Sequence, residues 1–281
     1  MRDFKFGNGG IFDMALIEFQ DYSFEYINGE IPALRDVSVK VGAGEVILIA
    51  GDSGSGKSTF VKSVNGLIPN IIEGEIKGKR YIKANDAENM PIYEISEIIG
   101  SVFQSPRSQF FTLNSESELV FAMENYGFSK KDMQLRIKEL SGILPIGNLM
   151  DKDIFKLSSG ERQLLALASA MVLRPDILLF DEPSANLDYG NSMKLKKIIL
   201  KLKEAGKTVL VADHRFFYLN GIIDRVLLIQ DGRLTIYNSE NEFKSSRYNT
   251  RNFNLFDSDI PFKERTESGE IIASINNVNK K

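Results

Sequence analysis

The chain has 281 residues, 43% hydrophobic and 26% charged, with a formal net charge of −3. That is enough apolar material for a sizeable core, and it excludes a disordered or fibrous chain. There is no cysteine, which excludes a disulfide framework and a thiolate metal site, and the slight acidity gives no footing for bulk nucleic-acid binding.

Residues 1–13, MRDFKFGNGGIFD, lack the apolar core of a secretory signal and precede a second methionine, Met14, so they read as a flexible leader. Short strand patterns follow at 16–19, 37–41 and 45–50. The last of these, EVILIA, is almost continuously apolar, as a parallel strand buried on both faces must be. A glycine-rich turn and a helical stretch over 58–66 come next. Residues 116–126 and 130–140 carry apolar positions at helical spacing. Ser158, with Glu161 three residues on, predicts a capping box that opens a helix over 158–171. Strands are expected at 177–180 and 208–212, with a helix over 192–205 between them. A hairpin over 225–229 and 233–237 is expected to turn at Asp231-Gly232. Nowhere does a run of about 18 apolar residues predict a membrane-spanning helix.

Alternating strands and helices predict an α/β fold with a largely parallel sheet and helices on both faces. The block from about 106 to 164 reads as a helical insertion, and the stretch from 244 to 281 as a polar linker. The end, EIIASINNVNKK, regains a strand pattern that echoes ALIEFQDYSFEY near the start.

Two motifs carry chemistry. Gly51-Asp52-Ser53-Gly54-Ser55-Gly56-Lys57-Ser58-Thr59 fits G-x-x-x-x-G-K-[ST] between a strand and a helix. Its glycines let backbone N–H groups wrap a phosphate, the helix start adds positive potential, Lys57 adds a full charge and Ser58 a hydroxyl for Mg²⁺. Ile177-Leu178-Leu179-Phe180-Asp181-Glu182 is an apolar strand ending in two acids. Asp181 is placed to serve Mg²⁺, and Glu182 to polarise a water in line with a γ-phosphate.

With these two motifs in this order, the chain resembles the nucleotide-binding domain of ABC transporters from about residue 15 to 235. Leu157-Ser158-Ser159-Gly160-Glu161 resembles the family's LSGGQ signature, and Ser184-Ala185-Asn186-Leu187-Asp188 its D-loop. Gln104 is similar to the Q-loop glutamine, His214 to the switch histidine and Tyr26 to the aromatic that stacks on adenine. The resemblance implies a phosphate-loop NTPase core with an antiparallel β part and an inserted helical subdomain, spanning residues 14–243. It implies ATP and Mg²⁺ as ligands, the metal being arranged by Ser58, Gln104 and Asp181. It also implies hydrolysis served by Glu182, His214 and Gln104, and a second cassette whose signature completes each ATP site. Ser159 and Glu161 depart from the signature. A bulkier residue and an added negative charge there are expected to weaken the contact with the partner's ATP.

Phe103-Gln104-Ser105-Pro106-Arg107-Ser108-Gln109-Phe110-Phe111 and Glu118-Leu119-Val120-Phe121 resemble patterns of energy-coupling factor ATPases. That likeness implies uptake of a vitamin or a transition metal ion, a cytoplasmic place on the inner face of the membrane, and a transmembrane coupling subunit docked near the Q-loop. Phe110, Phe111, Phe121 and Tyr126 are expected to form an aromatic groove for it. The tail from about Glu270 suits the start of a second cassette, against the alternative of an ordinary C-terminal extension. A soluble ABC ATPase working on ribosomes or DNA is the alternative function. The net charge and the lack of basic runs disfavour nucleic acid.

Overall fold

The computed structural model describes residues 15–248. The expected leader at 1–13 and the strand pattern near the C-terminus lie outside the described residues. So does the expected linker, except for its first few positions.

Strands β1 (Ile17–Tyr26) and β2 (Leu34–Val41) form an antiparallel pair, and β3 (Val46–Ala50) follows. Helix α1 (Lys57–Val64) leads through a short turn, α2 (Leu67–Asn70), into β4 (Gly74–Ile82) and β5 (Asn85–Asp86). Next come α3 (Ile92–Ile98) and β6 (Ile99–Val102). A helical stretch holds α4 (Ser115–Asn125) and α5 (Lys130–Ile143), and then α6 (Ser159–Met171). Strand β7 (Ile177–Asp181), α7 (Tyr189–Glu204) and β8 (Thr208–Ala212) precede the hairpin of β9 (Arg225–Gln230) and β10 (Arg233–Tyr237). Helix α8 (Glu240–Lys244) follows it.

The main sheet has the order β10-β9-β3-β8-β7-β6, parallel except for β10. It is buried on both faces, and strand alternation divides its side chains between two cores. Val46, Leu48, Leu178, Phe180, Val209, Val211, Val226 and Leu228 join the core beneath α4 to α8. Ile47, Ile49, Ile177, Leu179, Leu210, Ala212, Leu227 and Ile229 join the core shared with α1 and the second sheet. That second sheet is antiparallel, with the order β2-β1-β4-β5. The antiparallel part is thus a separate sheet, and β10 forms the antiparallel edge of the main one.

Most expected elements are found within two or three residues of their predicted limits. Helix α7 begins earlier than position 192 because the Asp188 side chain accepts from the Asn191 N–H and caps it there. Helix α6 opens on the predicted capping box, with both reciprocal bonds present between Ser158 and Glu161. Strands β4 to β6 and helix α3 were not expected. Tyr248 packs on the larger core, so ordered packing continues past position 243.

Phe60 on α1 is fully buried between the sheets, its ring 5.0 Å from that of Phe19. Phe60→Ala is expected to cost about 3–5 kcal/mol, read from the shift in the urea unfolding midpoint at constant slope.

Candidate phosphate-binding and catalytic site

The carboxyl ends of β3, β6, β7 and β8 lie side by side, the usual place for a ligand in an open α/β sheet. Each delivers one part of the site. After β3 the chain turns through Gly51 to Gly56 into α1. Gly51 has φ +153°, and a Cβ there would stand 2.4 Å from the Ile229 carbonyl oxygen, so only glycine fits. The loop is pinned to the terminal hairpin, where the Gly232 N–H donates to the Ser55 carbonyl at 2.9 Å.

Lys57, the first residue of α1, is 5% exposed. Burial lowers its pKa, and the charges of Glu182, Asp181 and Asp213 oppose that shift. Its Nζ lies 3.1 Å from His214 Nε2, which lies 3.0 Å from Glu182 Oε1. A single ring nitrogen cannot serve both neighbours at once. Unprotonated, it accepts from Lys57; protonated, it donates to Glu182. The other Glu182 oxygen accepts from Gln104 Nε2 at 2.7 Å. Glu182 is a non-glycine residue at φ +47°, held by its N–H donating to the Ala212 carbonyl at 2.7 Å. Such a left-handed residue costs of order 1 kcal/mol and persists where its surroundings over-determine it.

Asp181 is half-buried; burial first and then Glu182 raise its pKa, and Lys57 opposes them. Tyr26 closes the far side. Its hydroxyl lies 3.0 Å from Thr59 Oγ1, and its ring packs edge-on against Phe24. Together Tyr26, Asp52, Ser53, Gly54, Gly56, Lys57, Ser58, Thr59, Glu182 and His214 line a cavity of about 330 Å³. Among the described residues no three His, Cys, Asp or Glu side chains form a metal cage. The Ser58 hydroxyl, the Gln104 amide oxygen and Asp181 offer hard oxygen donors with a single carboxylate. That set suits Mg²⁺ arriving on a phosphate rather than an ion bound by protein alone.

Asp213, to which the sequence reading gave no role beyond its place before His214, anchors the edge of the site. Its buried carboxylate accepts from the Ser184 N–H and hydroxyl, the Arg215 N–H and the Tyr218 hydroxyl. Burial raises its pKa against those four bonds. The available signal was an acid placed directly before the chain's single histidine, at the end of a buried strand.

Residues 157–161 do not line this cavity. They open α6, where Glu161 accepts from the Ser158 N–H at 2.9 Å, from the Ser158 hydroxyl at 2.8 Å and from Lys152 Nζ at 3.1 Å. The extra negative charge is therefore paired within the helix start. In the 184–188 stretch, Ser184 and Leu187 are buried, Ala185 and Asn186 are exposed, and Asp188 caps α7.

The expected aromatic groove is only partly formed. Phe110 packs into the core, while Phe111 is 77% exposed and stacks on Phe121 at 5.1 Å. The Tyr126 hydroxyl donates to the Tyr93 carbonyl. Glu118 fixes the Phe111 loop by accepting from the N–H groups of Phe111 and Thr112, and Gln109 bridges Ser101 and Phe103.

The description of the ABC transporter family matches residues 34–185. A putative ABC transporter ATP-binding protein of Treponema denticola is 39% identical over 78% of this chain and 45% of its own length. One of Pyrococcus abyssi is 36% identical over 79% of this chain and 80% of its own length. The chain spans about half the length, or less, of most of the curated relatives it matches. CbiO1 of Clostridium perfringens, part of the ABC transporter complex CbiONQ, superposes with a TM-score of 0.75. It is 25% identical, over 85% of this chain and 94% of its own. A nucleotide-free ATP-binding cassette shares the fold with a TM-score of 0.72 at 23% identity.

The Ser158 N–H, the Ser158 hydroxyl and Lys152 hold the Glu161 carboxyl at about 2, against an ordinary 4.5. A depressed acid stabilises the fold above its unfolded value and loses that contribution as pH falls through the folded one. Solvent screening limits the gain here to about 1 kcal/mol or less. The stability advantage of the native chain over Glu161→Gln should therefore be full above pH 4.5 and fade towards pH 2, as followed by urea unfolding across that range.

Proposed function

The chain belongs to the ABC transporter family and folds as its ATP-binding domain, and on that premise we propose that it is the ATP-hydrolysing subunit of an energy-coupling factor type uptake transporter for a vitamin or a transition metal ion. The observation that carries the proposal is the convergence of buried Lys57 with Glu182, His214 and Gln104 beside the glycine loop.

Backbone N–H groups of residues 51–59 and the Lys57 ammonium bind the β- and γ-phosphates, with the adenine against Tyr26. Ser58, Gln104 and Asp181 would hold magnesium, which would supply positive charge against the charge developing on the phosphates. Glu182, fixed by Gln104, orients the attacking water and takes its proton. His214 meets the γ-phosphate when Lys57 turns from it to the nucleotide.

The signature residues 157–161 line none of the chain's own phosphate cavity, which supports completion of the site by a second cassette. That cassette is a copy, a paralogue or a domain fused beyond 244–281. The length of the Treponema relative supports the fused arrangement. In the pair, residues 184–188 lie at the joint, and the helical part at 106–164 carries the membrane contact. Phe111 and Leu113, 77% and 70% exposed beside the Gln104 loop, support docking of an apolar helix from a transmembrane coupling subunit. No helix among the described residues is long and apolar enough to cross a membrane. The chain is then peripheral on the inner face. The energy-coupling branch draws support from the Gln109 and Glu118 braces and from the likeness to CbiO1.

Glu182→Gln should keep ATP binding and lose steady-state hydrolysis by about 10²-fold or more; hydrolysis at the native rate overturns the assignment. Sedimentation velocity of that variant with Mg-ATP should show a dimer if a copy completes the site, and an ATP-bound monomer if a different cassette does. Lys57→Ala should abolish nucleotide binding in a titration with a fluorescent ATP analogue, and unchanged affinity counts against the loop.

A further inference from the structure

A second cavity, of about 470 Å³, opens between the signature helix α6, helix α7 and the end of β7. That volume is within the range of small-molecule sites. Its walls are apolar, built from Leu164, Leu167, Phe180, Leu187, Leu195 and Ile198. Its rim is basic. Lys194, Lys197 and Lys201 recur along α7 at the three- and four-residue spacing that puts them on one face. Lys194 bonds Asn191, and Lys197 and Lys201 form no ion pair among the described residues. The one acid at the rim, Glu161, is already engaged by Lys152 and Ser158.

An apolar interior and three lysines on one side call for an occupant with a hydrocarbon body and an anionic head. We propose that this cavity binds a single-chain anionic amphiphile. The chain lies among Leu164, Leu167 and Ile198, and the carboxylate or phosphate head sits at Lys197 and Lys201. The site touches both halves of the pairing apparatus, because Ser158 and Gly160 open α6 on one side and Leu187 belongs to the 184–188 loop on the other. A Cβ on Gly160 would stand 3.1 Å from the Asn191 side chain, so α6 already presses on the first turn of α7. An occupant therefore sets the separation of the signature from that loop. This last consequence rests on the proposed function; the binding itself does not.

Isothermal titration of the full chain with dodecanoate and with dodecyl phosphate, both below their micelle-forming concentrations, tests the site. One molecule per chain is expected. The tighter of the two heads tells a carboxylate source from a phosphate source, and either result supports the site. Lys197→Glu/Lys201→Glu, a pair of surface changes, should weaken binding at least tenfold while ATP binding stays native. Ile198→Trp, which fills the cavity, should abolish it. Dodecyltrimethylammonium binding as tightly as dodecanoate overturns the proposal, as does a stoichiometry well above one, indifference to the double charge reversal, or no binding at all. Because no ATP turnover is read, such a failure leaves the ATPase reading standing.

Discussion

The burial of the Lys57 ammonium is the constraint on which the rest of the site depends. Taking an ion out of water costs several kcal/mol unless opposite charge and hydrogen bonds surround it. The compensating groups come from distant parts of the chain: Glu182 and Asp181 at the end of β7, and Asp213 just past β8. They meet because the ladders are level. Ile49 pairs with Ala212, Ala212 with Asp181, and Val102 with Phe180, so the four strands end within about one residue of one another. That register in turn needs a sheet buried on both faces, which the apolar runs of β3, β7 and β8 supply. The chemistry of one lysine is thus tied to the alternation of side chains between two cores.

In this arrangement the charged groups already answer one another. Lys57 faces His214, His214 faces Glu182, and Glu182 accepts from Gln104. On the proposed reading, a phosphate entering the loop would exchange partners rather than add unpaired charge. Lys57 would turn to the anion and His214 to the γ-phosphate, while Glu182 would keep its bond from Gln104. Such an exchange costs less reorganisation than assembling the site around the ligand, which is how preorganised polar sites obtain their effect.

The parts legible in the sequence were those with a local signature. The glycine loop, the apolar strand ending in Asp181-Glu182 and the Ser158–Glu161 capping box each declare themselves within about ten residues. The second sheet did not. Strand β4 reads GEIKGKRYI, and its first six positions are exposed or half-exposed, so no apolar alternation marks it. Strand β6 holds four residues, and Gly100 in it replaces a packing side chain with closeness: a Cβ there would stand 2.5 Å from the Ala170 carbonyl. Asp213 was invisible as a hub because its partners, Ser184 and Tyr218, are set by tertiary packing. The aromatic cluster failed in the opposite sense. Composition showed four rings near Gln104, but only the fold turns Phe110 inward and Phe111 outward.

Asp213 also shows how the two ends of the site are joined. Its carboxylate holds Ser184, two residues past Glu182, and its backbone leads directly into His214. At the far end of the same loop, Leu187 is buried and Asp188 caps α7. The loop is therefore clamped at both ends, with Ala185 and Asn186 exposed between the clamps. The β8 tip, where His214 meets Lys57 and Glu182, and that exposed segment thus share one buried carboxylate, which does not release its donors cheaply. Ser184 and Asp213 are the contacts that stand between the exposed segment and His214. The connection runs through three residues and one strand tip.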